Sequence, residues 1–173
     1  RVIEIHISAD KLQMLQRAYR ILFWLTFAGY AVWVASAVVQ GVGLGNLIAV
    51  IERSQGAIGE LKNNARPIGG ITTLTQFAPI AVGLNLLLWK LGLRHLPSLI
   101  FFFAAAGVRV LFYAERLALI EVIVPFAVIG ALLLASDPKW RKRISLLPAF
   151  GVPLIWIVFA ISEYFRSWVY YSK

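Results

Sequence analysis

The sequence predicts an all-α protein, a polytopic membrane helical bundle with about five transmembrane helices and one interfacial amphipathic helix. Hydrophobic residues make up 60% of the 173 residues, and charged residues only 14%. The mean hydropathy is +0.78, far above that of an ordinary soluble domain. Long apolar runs alternate with short connections rich in Gly, Pro and charged residues. We therefore expect residues 1–173 to form one transmembrane helical region.

The charge balance is basic, with 17 Lys and Arg against 8 Asp and Glu and a formal net charge of +9. Because so apolar a chain leaves little soluble surface for a nucleic-acid footprint, positive charge at the membrane edges is the better explanation. The chain has no cysteine, and its two histidines, His6 and His95, lie far apart in the sequence. Disulfides and Cys-ligated metals are thus excluded, and no metal, cofactor or nucleic-acid partner is predicted.

The N-terminal stretch begins with Arg1 rather than Met, and no signal peptide precedes the first apolar run. We therefore expect the chain to be an interior part of a longer protein. Residues 2–7 alternate apolar and polar side chains, which predicts a short extended piece. Ser8 or Asp10 is then expected to cap a helix that begins near Lys11.

The first predicted span covers about residues 18–44 and ends in a glycine-rich sequence. Residues 46–61 place apolar side chains on one helical face and charged ones elsewhere, which predicts the amphipathic helix, with Asn46 as its cap. Pro79 falls inside the second span and is expected to kink it. The four further spans are expected at about residues 70–91, 97–113, 117–135 and 144–162.

The basic residues predict the orientation of these spans. A dense cluster between the fourth and fifth spans marks a cytoplasmic loop, Lys139, Arg141, Lys142 and Arg143. Counting spans outward puts five further basic residues on the same side, Lys11, Arg17, Arg20, Lys90 and Arg94. The outer side then receives charges of both signs, Arg53, Arg66, Arg116, Arg166, Glu52, Glu60, Glu115 and Glu163. The outer arginines depart from the positive-inside trend and therefore call for another explanation.

One outer segment, residues 63–76, combines an arginine with a small turn and a polar helix start. Pro67 biases Arg66 away from helical backbone angles, and the Gly69–Gly70 pair allows close approach to the main chain. Thr72 and Thr73 add hydroxyl groups where a helix start offers free N–H groups. The pattern is typical of an anion-receiving ledge at a membrane face. The alternative, which the local pattern by itself favours, is a connecting turn whose threonines cap a helix.

Arginines on several outer connections favour binding of a lipid-linked phosphate or pyrophosphate, because a guanidinium bonds phosphate oxygens through paired N–H groups. A nearby glutamate can accept a proton from an attacking hydroxyl. Arg109 and Glu121 lie near the outer membrane boundary, where ionisable groups are functional candidates. The structural alternative is that Arg109 reaches the interface and pairs with Glu115 or Glu121. Glu163 and Arg166 can likewise form a local ion pair at a helix end.

Three stretches, residues 63–77, 115–121 and 162–168, resemble the oligosaccharide repeat-unit polymerases of bacterial surface polysaccharides, the Wzy-type O-antigen polymerase family. The third, Ser-Glu-Tyr-Phe-Arg-Ser-Trp, is the most specific, and the resemblance extends from about residue 12 onward. Members of that family are larger, with more membrane spans and a large outer loop after the third stretch.

The resemblance implies a multi-pass protein of the bacterial plasma (inner) membrane that polymerises undecaprenyl-pyrophosphate-linked oligosaccharide repeat units. Such a glycosyltransferase uses neither a metal nor a nucleotide sugar, and its partners are the lipid-linked oligosaccharide, membrane lipids and other polysaccharide-assembly proteins. Glu115 and Glu163 are the candidate catalytic bases. The expected substrate- and pyrophosphate-binding residues are Arg66, Arg109, Arg116, Arg166, Thr72 and Thr73.

Two other classes of function fit a helical membrane bundle. A non-enzymatic transmembrane subunit of a larger complex predicts arginines that point apart, each paired locally. A transporter of an anionic solute predicts broken helices that meet at mid-membrane, whereas the polar residues of this chain cluster at one edge. Separate Arg-to-Ala substitutions discriminate the polymerase from the subunit through the length of the polysaccharide.

Overall fold

The structure, a computed structural model, describes residues 7–52, 54, 56–64, 68–113, 116–135, 138–146, 149–157 and 159–161. Within these residues all regular secondary structure is helical, as predicted. A 3-10 helix, hereafter the 3-10 segment, covers Thr72–Phe77. The α-helices are α1 Ala9–Val39, α2 Leu44–Ile51, α3 Ala57–Asn64, α4 Ala78–Lys90, α5 Leu96–Tyr113, α6 Arg116–Leu134 and α7 Pro138–Ser145.

Helix α1 is a single 31-residue helix that joins the predicted N-terminal helix to the first span. Ser8 is its N-cap residue, but the Ser8 side chain makes no capping hydrogen bond. At the other end Gly41 adopts φ +90°, a left-handed conformation that glycine takes at little cost. The Val42 amide donates to the Ala37 carbonyl, which closes the helix in a Schellman motif. The extended piece predicted at the N-terminus lies, apart from Ile7, outside the described residues.

The predicted continuous amphipathic helix over 46–61 is wrong, because the segment forms two short helices, α2 and α3. Gly56 lies between them with φ +81°, a backbone conformation that an α-helix cannot contain. Asn46 is not the N-cap residue. It lies in the first turn of α2, and its Oδ1 accepts a hydrogen bond from the Gly43 amide at 3.0 Å. Asn46 therefore satisfies a helix-start donor from inside the helix.

The second predicted span begins as the 3-10 segment and continues as α4. Pro79 is the second residue of α4 and not a mid-helix kink, so that prediction is wrong. Backbone N–H groups in the first turn of a helix have no carbonyl partner within the helix, so a proline, which lacks the N–H, is well tolerated there. The Ala78 amide donates to the Thr75 carbonyl at the junction between the two elements. Pro125, by contrast, lies inside α6.

Helices α4, α5 and α6 enclose the core. α4 ends in a second Schellman motif around Gly92, and only five residues, 91–95, separate it from α5. The buried core cluster comes from all three helices, Ala78, Ala81, Val82, Leu99, Phe102, Ala106 and Val122. Two rings next to Phe102 pack outward from this core: Phe101 contacts Phe23 and Phe27 of α1, and Phe103 contacts Phe126 of α6.

Among the residues that the structure describes, three helical stretches are long and apolar enough to cross a membrane, Ala9–Val39, Thr72–Lys90 and Leu117–Leu134. They indicate a membrane protein. The contacts also define two ends of the bundle. At one end Tyr19 of α1, Asn85 of α4 and Ser98 of α5 meet. At the other, Thr75 meets Arg109. The first end carries Arg20, Lys90, Arg94 and Trp140, and we call it the basic end.

Candidate functional site

The 3-10 segment lies at the end of the bundle opposite the basic end, between α1 and α5. A Cβ atom on Gly29 of α1 would come within 3.0 Å of the Leu74 Cβ and of the Thr75 amide nitrogen. Helix α1 therefore packs closely against the main chain of the segment at Gly29. On the other side, Arg109 of α5 contacts the segment. These two contacts hold the polar sequence in a fixed position at the end of the bundle.

The threonine hydroxyls explain why this stretch is a 3-10 helix. Thr72 Oγ1 donates to the Ile68 carbonyl at 2.7 Å, and Thr73 Oγ1 donates to the Gly70 carbonyl. Thr75 Oγ1 donates to the Thr72 carbonyl at 2.8 Å. Hydroxyls that bond to backbone carbonyls three or four residues earlier compete with regular α-helical pairing. Thr73 is exposed and Thr72 half-buried, whereas Thr75 is buried.

Arg109 joins the segment to α5. One of its terminal guanidinium nitrogens donates to Thr75 Oγ1 at 3.3 Å, and the side chain is partly buried. The Thr75 hydroxyl therefore acts both as a donor, to the Thr72 carbonyl, and as an acceptor, from the Arg109 guanidinium. A guanidinium has five N–H donors in a fixed planar arrangement. The contact orients that group against the 3-10 segment at Thr75.

Of the predicted site residues, Thr72 and Thr73 lie in the 3-10 segment, and Arg109 contacts that segment through Thr75. Arg116 is the first residue of α6, but its side chain lies outside the described part of the structure. Four further predicted residues lie outside the described residues altogether, Arg66, Glu115, Glu163 and Arg166. Their convergence and the identity of a catalytic base therefore remain predictions.

The arrangement provides a cation in contact with the hydroxyl-rich 3-10 segment at this end of the bundle. A phosphate oxygen at this position can accept hydrogen bonds from a guanidinium, whose charge roughly doubles their strength. Within the described residues, no group of three or more His, Cys, Asp or Glu side chains is placed to hold a metal ion. The Arg109 guanidinium can bind an anionic group and stabilise developing negative charge.

A buried polar network at the basic end was not predicted as a site. The Asn85 side-chain amide is fully buried, and its nitrogen donates to the Tyr19 hydroxyl at 2.9 Å and to Ser98 Oγ at 3.1 Å. It also donates to the His95 carbonyl at 3.1 Å. Tyr19 further bonds Ser98 and stacks on the His95 ring. An Asn inside an apolar run was the available sequence signal, but its partners come from two other helices.

The Asn85 carbonyl oxygen is buried and has no hydrogen-bond partner within the described structure. An unpaired buried polar atom costs roughly 1–3 kcal/mol. The three interactions of the amide nitrogen offset that cost, because they join α1, α4 and the start of α5. The network therefore fixes the mutual position of these helices.

Comparisons of the chain with protein-family models, with curated proteins and with solved structures gave no match.

Proposed function

We propose that the protein polymerises undecaprenyl-pyrophosphate-linked oligosaccharide repeat units at the outer face of a bacterial plasma membrane. The main support is the contact between Arg109 and Thr75. This contact places a cation beside the hydroxyl-rich segment, at the end of the bundle opposite the basic end. The positive-inside rule assigns the basic end to the cytoplasm, so the segment faces the outer side. That segment belongs to the first of the three stretches that resemble the polymerase family.

In the proposed reaction, a hydroxyl of the incoming lipid-linked unit attacks the anomeric carbon of the growing chain. A new glycosidic bond forms as the bond to the lipid pyrophosphate breaks. The proton of the hydroxyl passes to a glutamate, Glu115 or Glu163. Arg66, Arg109, Arg116 and Arg166 neutralise the charge that develops on the pyrophosphate leaving group. No metal or nucleotide sugar takes part.

The proposal includes about five transmembrane spans. Two shorter apolar helices, Leu96–Val110 and Ala149–Ile161, supply the spans beyond the three long ones. With five spans, α2 and α3 lie in an outer connection together with the residues that lead to the 3-10 segment. The outer surface would then receive the lipid-linked substrate sideways from the bilayer.

The test replaces Arg66, Arg109, Arg116 and Arg166 separately with Ala in the full-length protein. Each variant is expressed in the producing bacterium without its own copy, and polysaccharide length is read from a gel ladder. We expect loss of the long chains while the single-unit product persists. Arg17→Ala, an exposed position at the basic end, is the control and should give normal length. Normal length in all four variants, with wild-type protein levels, would overturn the proposal.

One observation favours the second candidate, a non-enzymatic membrane subunit. Thr72 and Thr73 donate their hydroxyl protons to nearby backbone carbonyls, as in a connecting turn. Under this proposal the arginine variants lower the amount of an assembled complex without changing polysaccharide length. Co-purification of the complex, measured on the same variants, separates the two functions.

A further inference from the structure

A cavity of about 690 Å³ lies at the basic end between α4, α6 and α7, and we call it the α4–α6–α7 cavity. Its walls are mostly apolar, with Leu86 from α4, Phe126 and Leu134 from α6 and Ile144 from α7. Its volume is in the range of sites that hold an organic ligand. The cavity does not touch the 3-10 segment or Arg109, so it is separate from the proposed polymerisation site.

Two cations border this apolar space. Lys90 ends α4, and Arg94 lies in the connection that follows. Both side chains are exposed. The lining residues within the described structure include no Asp or Glu. The ligand that complements such a cavity is amphipathic, with an apolar body and an anionic head.

Aromatic side chains mark the depth of the cavity in the membrane. Trp89 and Trp140 line it together with Lys90 and Arg94. Tryptophan is enriched at the boundary between hydrocarbon and headgroups. Since Phe126 lies further along α6 from this boundary, the apolar wall extends from the headgroup level into the hydrocarbon. Basic pockets between membrane helices on the cytoplasmic side are typical sites for acidic lipid headgroups.

The floor of the cavity is formed by small residues of α6, Ala127, Gly130 and Ala131. A Cβ atom built on Gly130 would meet no atom within 4 Å. Gly130 is therefore not at a close contact between helices, and its missing side chain leaves part of the cavity open. A larger side chain at position 130 would occupy the cavity without displacing the protein.

We propose that the α4–α6–α7 cavity binds one acidic phospholipid of the cytoplasmic leaflet. An acyl chain lies along the apolar wall of α6, and Lys90 and Arg94 bind the headgroup phosphate. Charge complementarity selects an acidic lipid over a zwitterionic one. The apolar wall selects a lipid over free phosphate. Lipid binding at this cavity does not depend on whether the protein is a polymerase.

The first test measures lipid binding to the purified full-length protein in detergent by native mass spectrometry, with phosphatidylglycerol and phosphatidylcholine as probes. Lys90→Gln combined with Arg94→Gln should weaken phosphatidylglycerol binding about 25-fold, since each cation near the headgroup contributes roughly fivefold. Phosphatidylcholine binding should change little. The control, Lys11→Gln with Arg17→Gln, removes two exposed cations of the same end that do not line the cavity. An equal loss in the control, or no loss in the first variant, would overturn the proposal.

The second test fills the cavity. Gly130→Leu should reduce binding of both lipids at this site. Gly107→Leu should not, because it makes the same change at an open helical position of α5 outside the cavity. Equal binding by the two variants would contradict the proposed acyl position. Inorganic phosphate, added at the lipid concentration, should not displace phosphatidylglycerol, and full displacement would show a phosphate site instead. If Gly130→Leu fails to fold, the charge variants decide the question alone.

Discussion

The side-chain nitrogen of Asn85 lies 2.9 Å from the hydroxyl oxygen of Tyr19, which joins α4 to α1 in the interior of the bundle. Asn85 is fully buried and Tyr19 nearly so. Polar side chains that bond between helices help to specify how membrane helices associate, because lipid gives little hydrophobic drive between them. This pair therefore contributes to the register of α1 against α4.

Asn85→Ala should destabilise the protein by about 1–2 kcal/mol, because it removes the donor that serves three acceptors. Tyr19→Phe should cost less, since Ser98 Oγ can still donate to the His95 carbonyl. The double variant measures the pairwise coupling, which we expect to be roughly 0.6 kcal/mol and at most about 1.7. Unfolding in denaturing detergent provides the free energies. Strictly additive effects would contradict a direct interaction.

Gly29→Ala should be more harmful than Gly83→Ala, although the added Cβ meets its nearest atom at 3.0 Å in the first case and 2.6 Å in the second. At Gly29 a backbone nitrogen, Thr75 N, cannot move without shifting the 3-10 segment. At Gly83 the neighbour is the end of the flexible Ile129 side chain. We expect a loss of roughly 1–3 kcal/mol for Gly29→Ala and a near-neutral effect for Gly83→Ala. Thermal unfolding of both purified variants checks the order.

Thr75→Val should lower polysaccharide chain length if Arg109 acts on substrate, because it removes the hydroxyl that orients the guanidinium. The substitution preserves shape but also leaves the Thr72 carbonyl without its side-chain donor. Thr75→Ser retains both bonds and is the matched control. Protein level and thermal stability are measured with chain length. If Thr75→Val folds normally and yields chains of wild-type length, Arg109 does not need the hydrogen bond to Thr75 for its action on substrate.

The absence of cysteine allows the orientation to be tested directly. Thr73→Cys is at an exposed position beside the proposed outer site, and Arg17→Cys is at an exposed position at the basic end. In intact cells a membrane-impermeant maleimide should label only the first variant. Both should be labelled after the membrane is opened. Labelling of Arg17→Cys alone in intact cells would reverse the proposed topology.

The apolar runs were sufficient to predict the helical class and the approximate positions of the long helices. Their lengths and hydropathy depend on local composition, which the sequence displays. The break at Gly56 and the 3-10 segment were not predicted. Both depend on backbone dihedral angles and local hydrogen bonds, which the pattern of hydrophobic residues does not specify. The sequence predicts that the hydroxyls of Thr72 and Thr73 are donors offered at a helix start, whereas in the structure both bond to preceding backbone carbonyls.

The candidate site could be predicted only as a set of residue types on one side of a membrane. Arg109 and Thr75 lie 34 residues apart, and nothing in their local sequences states that they touch. Asn85 was visible as an amide in an apolar run, but its partner Tyr19 lies 66 residues earlier. Such pairings depend on which helix faces meet, and that is settled by packing of the whole core.

The short connection between α4 and α5 has a consequence for biogenesis. Asn85 and Ser98 lie on opposite sides of that connection and bond to each other. A helix that enters the bilayer alone carries an amide into hydrocarbon, where no water can satisfy it. On the proposed five-span topology, α5 also crosses the membrane, and two helices joined by five residues can partition together as a hairpin, with that amide already bonded to α5. The hairpin, and not the individual helix, is then the favourable unit of insertion at the translocon.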